Sequence, residues 1–507
     1  MLVFNNNNNM KNYIKNYIVR VPLLLVFLLL FSCKKSFLEV VPPGRLVAET
    51  TSEYSALLSS ANLILFGTAG AGYEAPIRMA DDVSGLQPLF SGASLKAQRQ
   101  FRWEADIYQP DENPSELNFL AQLYVVNKII NEVSQSTGGT EAEKASILAE
   151  AKANRAFYYF MIMNLFAKPY DPATAASDPG FPIITQADVT QTNFPSRASV
   201  KEVYDFMISD LLAAMPDLPT TIPFGGRMSR PAAQGLLGKI YVFMGNYTGA
   251  LPLLDLCINN IGSVGTSVAL YDYNTAMVDG TFPNDPLFGI SFPLINNNRE
   301  ALLWRATNNL YAGYFGPDFS EEITGGELVL SQKARALFLP SDLRLNFFTN
   351  SFFFSPPLPG GHIRRGFGTA QTVWLNLADM YLLRAECKAR ANDRNGAVTD
   401  VQYLRARRMP ASDVPVPNAI AGIQNDLIRF IIDERVREFA CTGFTRWFDM
   451  RRLSVDPIFQ NDTYTHIVYP ESGLPTGSTS FTLSKQRLTM RIPAKILGQN
   501  PGMQDNP

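Results

Sequence analysis

The sequence predicts a mainly α fold: a tetratricopeptide-like scaffold of about four helix pairs, with long irregular loops between them forming a ligand-binding face. Two segments carry the prediction. Leu236 to Asn259 reads LLGKIYVFMGNYTGALPLLDLCIN, and Leu237, Gly238, Tyr241, Gly245, Tyr247, Ala250, Leu254 and Cys257 stand at the spacing of one helix–turn–helix repeat. Tyr381 to Arg408 repeats the pattern: Ala385 and Ala397 are twelve apart, as Gly238 and Ala250 are, and Val401 and Leu404 take the places of Leu254 and Cys257.

Each element has a local reason. Gly238 and Ala250 are small enough for two antiparallel helices to approach closely, Tyr241 fills the space between them, and Gly245-Asn246 supplies the turn. Pro252 is expected in the first turn of the second helix, where a missing N–H costs little. Weaker pairs flank these two. Leu117 to Val133 pairs with Lys144 to Ala167, and Ala419 to Phe439 pairs with a helix that Trp447 to Arg452 continues. Val203 to Met215 adds a helix before the first clear unit. The repeats thus fall near 117–167, 203–259, 378–408 and 419–452. One unit cannot bury its apolar face alone, so the pairs must stack. Between them Gly67 to Asn113, Asp171 to Pro195 and Ile261 to Gly368 are rich in Pro, Gly, Asn and aromatics, and too long for plain connectors; loops of that length are usually functional. Thr369 to Leu377 reads as a strand or an extended lead-in.

The N-terminus follows another logic. Lys11, Lys15 and Arg20 precede the apolar run Val21 to Phe31, then Ser32 and Cys33. This is the layout of a secretory signal with a lipoprotein-type cleavage site. An eleven-residue run is shorter than the roughly 20 residues needed to cross a bilayer. Residues 1–32 are expected to be a signal peptide cleaved before Cys33, whose thiol takes the lipid, and 33–507 a single domain. The Asn5 to Asn9 patch leaves Met10 as an alternative start.

Composition removes several function classes. A net charge of −2, with no basic stretch interleaved with aromatics, argues against nucleic acid. The two histidines, His362 and His466, stand far apart, and no HExxH, GxSxG or P-loop occurs. No cofactor or metal is expected. Asp81-Asp82 and Glu321-Glu322 lack the cross-cleft geometry a glycosidase needs, and no calcium-loop spacing surrounds them. Beyond Cys33, Cys257, Cys387 and Cys441 show no CxxC spacing, and the two in helical patterns read as small buried hydrophobes.

Further motifs recur in order along the chain. They are Ser32-Cys33-Lys34-Lys35 with Phe37-Leu38-Glu39 and Pro42-Pro43, then Arg155-Ala156-Phe157-Tyr158-Tyr159 with Leu165 and Pro169-Tyr170. Ser229-Arg230-Pro231-Ala232-Ala233 and Ala378-Asp379-Met380-Tyr381-Leu382-Leu383-Arg384-Ala385-Glu386 follow. Asp433-Glu434-Arg435, Glu438-Phe439-Ala440 and Arg446-Trp447-Phe448-Asp449-Met450-Arg451-Arg452 come next, then Ile492-Pro493 and Asn500-Pro501-Gly502-Met503. In order and spacing the chain resembles the SusD/RagB family of outer-membrane nutrient-binding lipoproteins. It departs from the pattern at Thr442, where an acidic residue is common, and at Lys34-Lys35, where an acidic export run is missing. The resemblance implies a non-catalytic lipoprotein anchored in the outer membrane on its extracellular face. It would act as a lid on a SusC-like TonB-dependent channel and pass oligosaccharides, or in some members peptides, to it. It also implies that the repeats contact the channel while the irregular regions build the ligand face. A rival reading is a helical scaffold without a small ligand.

A sugar site needs flat aromatic faces and a few fixed polar groups. Ile261 to Ser320 offers Tyr271, Tyr273, Trp304, Tyr311, Tyr314, Phe315 and Phe319, with Asn296, Asn297, Asn298 and Arg299. The earlier loop offers Tyr73, Arg78, Asp81, Asp82 and Trp103. Trp103, Trp304, Tyr311, Asp81 and Arg78 rank first as ligand contacts, with Tyr73 and Tyr314 beside them. Glu434, Arg435, Glu438, Arg446, Asp449 and Arg451 read instead as ion pairs between repeats, and Trp447 as packing. Phe347-Phe348 and Phe352-Phe353-Phe354 read as a buried strand or as an apolar patch facing the channel.

Overall fold

The computed structural model describes residues 48–66, 75–87, 89–112, 119–188, 196–221, 225–263, 268–285, 289–293, 298–307, 328–351, 357–366, 373–442 and 444–507. The signal segment, Cys33, Tyr73, Tyr311, Tyr314, Phe315, Phe319, Glu321-Glu322 and Phe352 to Phe354 lie outside them.

Twelve helices and six strands carry the account. In chain order they are α1 (Thr51–Leu58), α2 (Ala75–Met79), β1 (Val83–Leu86), α3 (Leu95–Phe101), α4 (Phe119–Glu132), α5 (Glu141–Phe166), α6 (Val200–Ala214), α7 (Arg230–Phe243) and α8 (Tyr247–Ser263). After them come β2 (Ala301–Trp304), β3 (Leu328–Leu330), β4 (Val373–Asn376), α9 (Leu377–Arg390), α10 (Arg394–Arg405), α11 (Gln424–Phe439), α12 (Thr445–Leu453), β5 (Thr465–Tyr469) and β6 (Thr479–Thr482). The fold is mainly helical, and α4–α5, α7–α8, α9–α10 and α11–α12 fall at the four pairs expected from the repeats. Val373–Asn376 resolves the lead-in to α9 as a strand.

The helix starts are written in short polar motifs. Thr50 with Glu53, Thr140 with Glu143 and Ser199 with Glu202 each close a capping box, in which hydroxyl and carboxylate satisfy otherwise orphaned N–H groups. Ser229 caps α7, with Pro231 inside the first turn. The glycines of α7 explain how the repeats close up. A Cβ on Gly235 would lie 2.7 Å from Met380 Sδ, and one on Gly238 would lie 2.9 Å from Leu254 Cγ. Pro252 departs from expectation. Because α8 already begins at Tyr247, the proline sits inside the helix rather than in its first turn, and its missing N–H forfeits an intrahelical bond.

Helices α9, α11 and α12 are tied by buried ions. Arg435 bonds Asp379 and Asp449, both at 2.7 Å, and Arg452 reaches Asp449 at 2.7 Å and Glu386 at 2.8 Å. Lys239 of α7 joins the same chain through Asp379 at 2.9 Å. The reading of ion pairs between repeats therefore holds for Glu434, Arg435, Glu438 and Asp449, whereas Arg446 pairs with Asp81 outside the repeats and Arg451 differs again. Among the described residues Arg451 faces no carboxylate; its Nη2 donates to the carbonyls of Met163 and Ala167 at the end of α5. Trp447 is fully buried, as packing requires.

Outside the helices the chain forms small sheets. The largest has the order β6-β5-β1-β3: β5 runs antiparallel to β6 and parallel to β1, and β1 runs antiparallel to β3. β2 pairs antiparallel with β4, bringing Trp304 opposite Val373. Cys257, Cys387 and Cys441 are buried and form no disulfide with one another. Phe347 is buried at the end of a 3-10 turn (Leu343–Phe347), packed with Tyr271, Tyr273 and Phe282, while the half-buried Phe348 opens a two-residue strand (Phe348–Thr349) paired with Arg364–Arg365. Among the described residues, no helix is long and apolar enough to cross a membrane.

Candidate functional site

A cavity of about 70 Å³ lies where the repeats meet the irregular region. Helix α5 contributes Phe157 and Phe160, α7 contributes Lys239, and α11 and α12 with the turn between them contribute Glu438, Phe439, Thr442, Thr445 and Phe448. Tyr273, Phe292, Asn298, Glu300, Arg365 and Asn376 close it from the irregular side. That volume holds a few water molecules, since one needs roughly 10–15 Å³ by the same measure. Phe292, Asn298, Asn376, Phe439, Thr442 and Thr445 are only half-buried, so the polar rim is partly open.

The charges around it are tightly matched. Arg408, fully buried, donates to Glu300 at 2.8 Å and to Glu438 at 2.8 Å, and its guanidinium lies 4.0 Å from the centre of the Tyr273 ring. Arg344 bridges Glu434, Glu438 and Asp342 at 2.8, 3.0 and 2.7 Å. Burial pushes Glu434 upward, but Arg437, Arg344 and Arg405 together hold it well below the usual carboxylate range. Burial wins at Glu300, which is raised despite Arg408. Burial likewise lifts the Tyr273 phenol well above its ordinary value. The arrangement offers aromatic rings and carboxamides, with Glu300 and Glu438 already committed to Arg408. Among the described residues no cluster of His, Cys, Asp and Glu is poised to hold a metal ion.

The residues ranked first from sequence are placed otherwise. Trp103 is buried, donates from Nε1 to Met79 O at 2.9 Å, and stacks on His466 with centroids 3.8 Å apart. Trp304 is buried in β2, so close to Gly225 that a Cβ there would lie 2.9 Å from its ring. Asp81 is buried and bonded to Arg446 at 2.5 Å and Lys333 at 3.2 Å; burial opposes its charge, but the two cations bring its pKa down to about 2. Arg78, 2% exposed, points towards Gln100. These four are core groups rather than an open ligand face. Pairing across long sequence separations draws them inward: the sheet of β1, β3 and β5 takes in Asp81 and Trp103, and the pairing of β2 with β4 takes in Trp304. Tyr73, Tyr311 and Tyr314 lie outside the described residues.

The cavity groups were partly missed. Tyr273 and Asn298 stood in the aromatic-rich stretch already noted, and Glu438 was read as an ion pair, which it is. Phe439 stood in the Glu438-Phe439-Ala440 motif, and Phe292, Glu300 and Asn376 carried no separate signal. Their one available clue was proximity to loops too long for connectors.

Comparison with known proteins completes the picture. Residues 37–242 match a family model described as "Starch-binding associating with outer membrane", and residues 353–507 match that of the SusD family. Among solved structures, a SusD superfamily protein from Bacteroides thetaiotaomicron is similar at 19% identity and a TM-score of 0.70, covering 90% of this chain and 100% of that one. A putative sugar binding protein from Bacteroides vulgatus gives 17% identity and a TM-score of 0.67, with 91% and 99% covered. A SusD-like carbohydrate binding protein from the same species gives 18% and 0.66, with 90% and 98% covered. No curated protein matches the chain. With two SusD-type family models matching residues 37–242 and 353–507 in order, the chain belongs to the SusD family.

Proposed function

We propose that this chain is a non-catalytic, cell-surface lipoprotein that binds oligosaccharides and delivers them to a SusC-like TonB-dependent outer-membrane channel. The observation that carries the reading is the match of residues 37–242 to a starch-binding family that associates with the outer membrane. Residues 1–32 are the leader, Cys33 the acylated anchor, and 33–507 one domain. Lys11, Lys15, Arg20, the apolar run and Cys33 support the anchor. Anchoring that lasts takes two or more acyl chains, since one holds only marginally.

Tyr73, Tyr311 and Tyr314 are proposed as the ring faces for the sugar. Trp103, Asp81 and Arg78, whose polar groups already have protein partners, and the buried Trp304 are proposed as structural groups rather than ligand contacts. The half-buried amides of Asn298 and Asn376 suit sugar hydroxyls.

The test is calorimetric titration of the soluble Cys33→Ser protein with a panel of oligosaccharides and peptides, followed by product analysis. Saturable binding of an oligosaccharide without turnover is expected, and is lost in the Tyr73→Ala, Tyr311→Ala, Tyr314→Ala triple variant. Release of shorter sugars by the protein alone would overturn the non-catalytic reading. Binding of peptides only would move the assignment to peptide capture, and no binding would favour the scaffold. Co-purification of the acylated protein with a TonB-dependent channel from detergent-solubilised outer membrane tests the partner.

A further inference from the structure

His466, in the middle of β5, is completely buried. Its imidazole is sandwiched between the Phe101 ring, 4.3 Å away and 24° from parallel, and the Trp103 ring, 3.8 Å away and 17° from parallel. Nδ1 lies 2.7 Å from Phe101 O, and Nε2 lies 2.7 Å from Ala80 O. Both neighbours are backbone carbonyls, which only accept. A neutral imidazole has a single N–H, so in either tautomer one carbonyl would face a nitrogen lone pair at hydrogen-bond distance. Turning the ring over does not help. It would set ring carbons where the nitrogens stand, well inside the 3.3–3.6 Å at which C–H groups meet carbonyl oxygens.

We infer that His466 is held as an imidazolium, and that its second proton is a structural clasp docking the Trp103 segment onto the sheet. The clasp continues through consecutive carbonyls: Met79 O accepts from Trp103, Ala80 O from His466, and Asp81 O from Ser331. Trp103 itself sits at φ 54°, a left-handed conformation that a bulky residue adopts only where its surroundings impose it. The flanking rings favour the cation electrostatically, as aromatic faces do. Loss of the proton would strip one carbonyl of its donor and remove the charge that the Trp103 ring faces.

His362 is a built-in contrast. Its Nδ1 faces the Gln332 side-chain amide nitrogen at 3.3 Å and its Nε2 faces Gly473 O at 3.0 Å, one donor and one acceptor, which a neutral ring satisfies. Burial pulls its pKa down.

The charged groups around His466 are accounted for. Asp81 and Asp82 follow α2, and the Asp81 carboxylate, bound to Arg446 of α12 and Lys333, favours the cation. Arg78 of α2 is directed at Gln100, and Tyr464 lies beside Arg446. The charges of α3 and its flank are paired outward: Lys96 with Glu112, and Arg99 and Arg102 with Glu104. Burial, the largest influence, pulls the pKa of His466 below its ordinary value, as it does for His362, against the two carbonyl bonds and Asp81. What calls for the second proton is instead the pair of acceptors that face its ring nitrogens at 2.7 Å. For an imidazolium held above the unfolded value near 6.5, the clasp is fully present below that pH and is lost as pH rises through the folded pKa.

The experiment is nitrogen-15 NMR of the two imidazoles in the full mature chain carrying Cys33→Ser and no histidine tag, with His362→Gln to assign them. At about pH 8, His466 is expected to show two protonated ring nitrogens while His362 shows one. A neutral His466 at pH 7 would overturn the inference. Melting of His466→Gln against the parent gives a second readout. The parent's Tm advantage is expected to be larger at pH 6 than at pH 9, and one that is constant or grows with pH would count against the clasp. Should His466→Gln fail to fold, the NMR measurement decides alone.

Discussion

The repeats and the irregular region bury polar groups in opposite ways. In the helices the backbone satisfies itself, so side chains are released to pair with one another. Arg435, Asp379, Asp449, Arg452 and Glu386 form an unbroken charge chain across α9, α11 and α12. In the irregular region the strands are two to five residues long, and side chains must serve the main chain instead. Trp103, His466 and Ser331 each spend a hydrogen bond on a carbonyl between Met79 and Asp81. Side-chain chemistry leans to the backbone where secondary structure is short and to other side chains where it is long, although Arg451 serves carbonyls from α12 and Arg344 pairs with carboxylates from the irregular region.

The sharpest way to break this contrast is to empty one buried position in each region. Glu434→Ala leaves Arg344, Arg405 and Arg437 without their shared carboxylate and is expected to cost about 3–5 kcal/mol in urea unfolding. Trp103→Ala removes a packed ring and should cost a similar amount, about 3–5 kcal/mol. A loss below about 1 kcal/mol at Glu434 would mean that apolar packing alone holds the repeats. The Trp103 variant therefore reports on folding before it reports on ligand.

Next comes the pair Asp81-Asp82, adjacent yet opposed. Burial raises Asp82 to about 6, with the Cys441 N–H bond partly offsetting it and Asp81 adding to it. A carboxyl raised in the folded state costs stability at neutral pH and gives it back as pH falls through about 6. Asp82→Asn should stabilise by up to about 3 kcal/mol at pH 7 and change little near pH 4. Asp81, lowered to about 2, has the reverse sign. Its contribution is present above the unfolded value near 3.8 and is lost as pH falls through about 2, so Asp81→Asn should destabilise at pH 7. Urea titrations at the two pH values check both.

A smaller effect, about 1–3 kcal/mol, is expected from Gly238→Val, which forces α7 away from Leu254. The smallest comes from the rim. Arg429 and Asp462 are 44% and 35% exposed, and Asp462→Asn should shift stability by less than about 1 kcal/mol. A larger loss there would show that surface pairs, and not only the buried chain, hold the repeats.

Much of this contrast was legible beforehand. Gly238, Ala250, Ala385 and Ala397 mark the close contacts of two repeats, and the charged motifs from Glu434 to Arg452 announce ion pairs by their helical spacing. Pro252 was misjudged because the start of α8 depends on a turn that only the packed structure defines. At the candidate site the aromatic-rich stretches stood out as regions, but the burial of Trp103, Trp304, Asp81 and Arg78 was not legible. Residue type cannot tell a ring that faces solvent from one that faces His466.

The helical repeats and the family were legible in the chain alone, because these are written in spacing of a few residues and in the order of motifs. Tertiary structure alone decided what is buried in the irregular region. The pairings of β1 with β5 and β3, and of His466 with Ala80 and Phe101, join residues hundreds of positions apart. Such pairings follow from the packing of the whole chain and leave no local period to read.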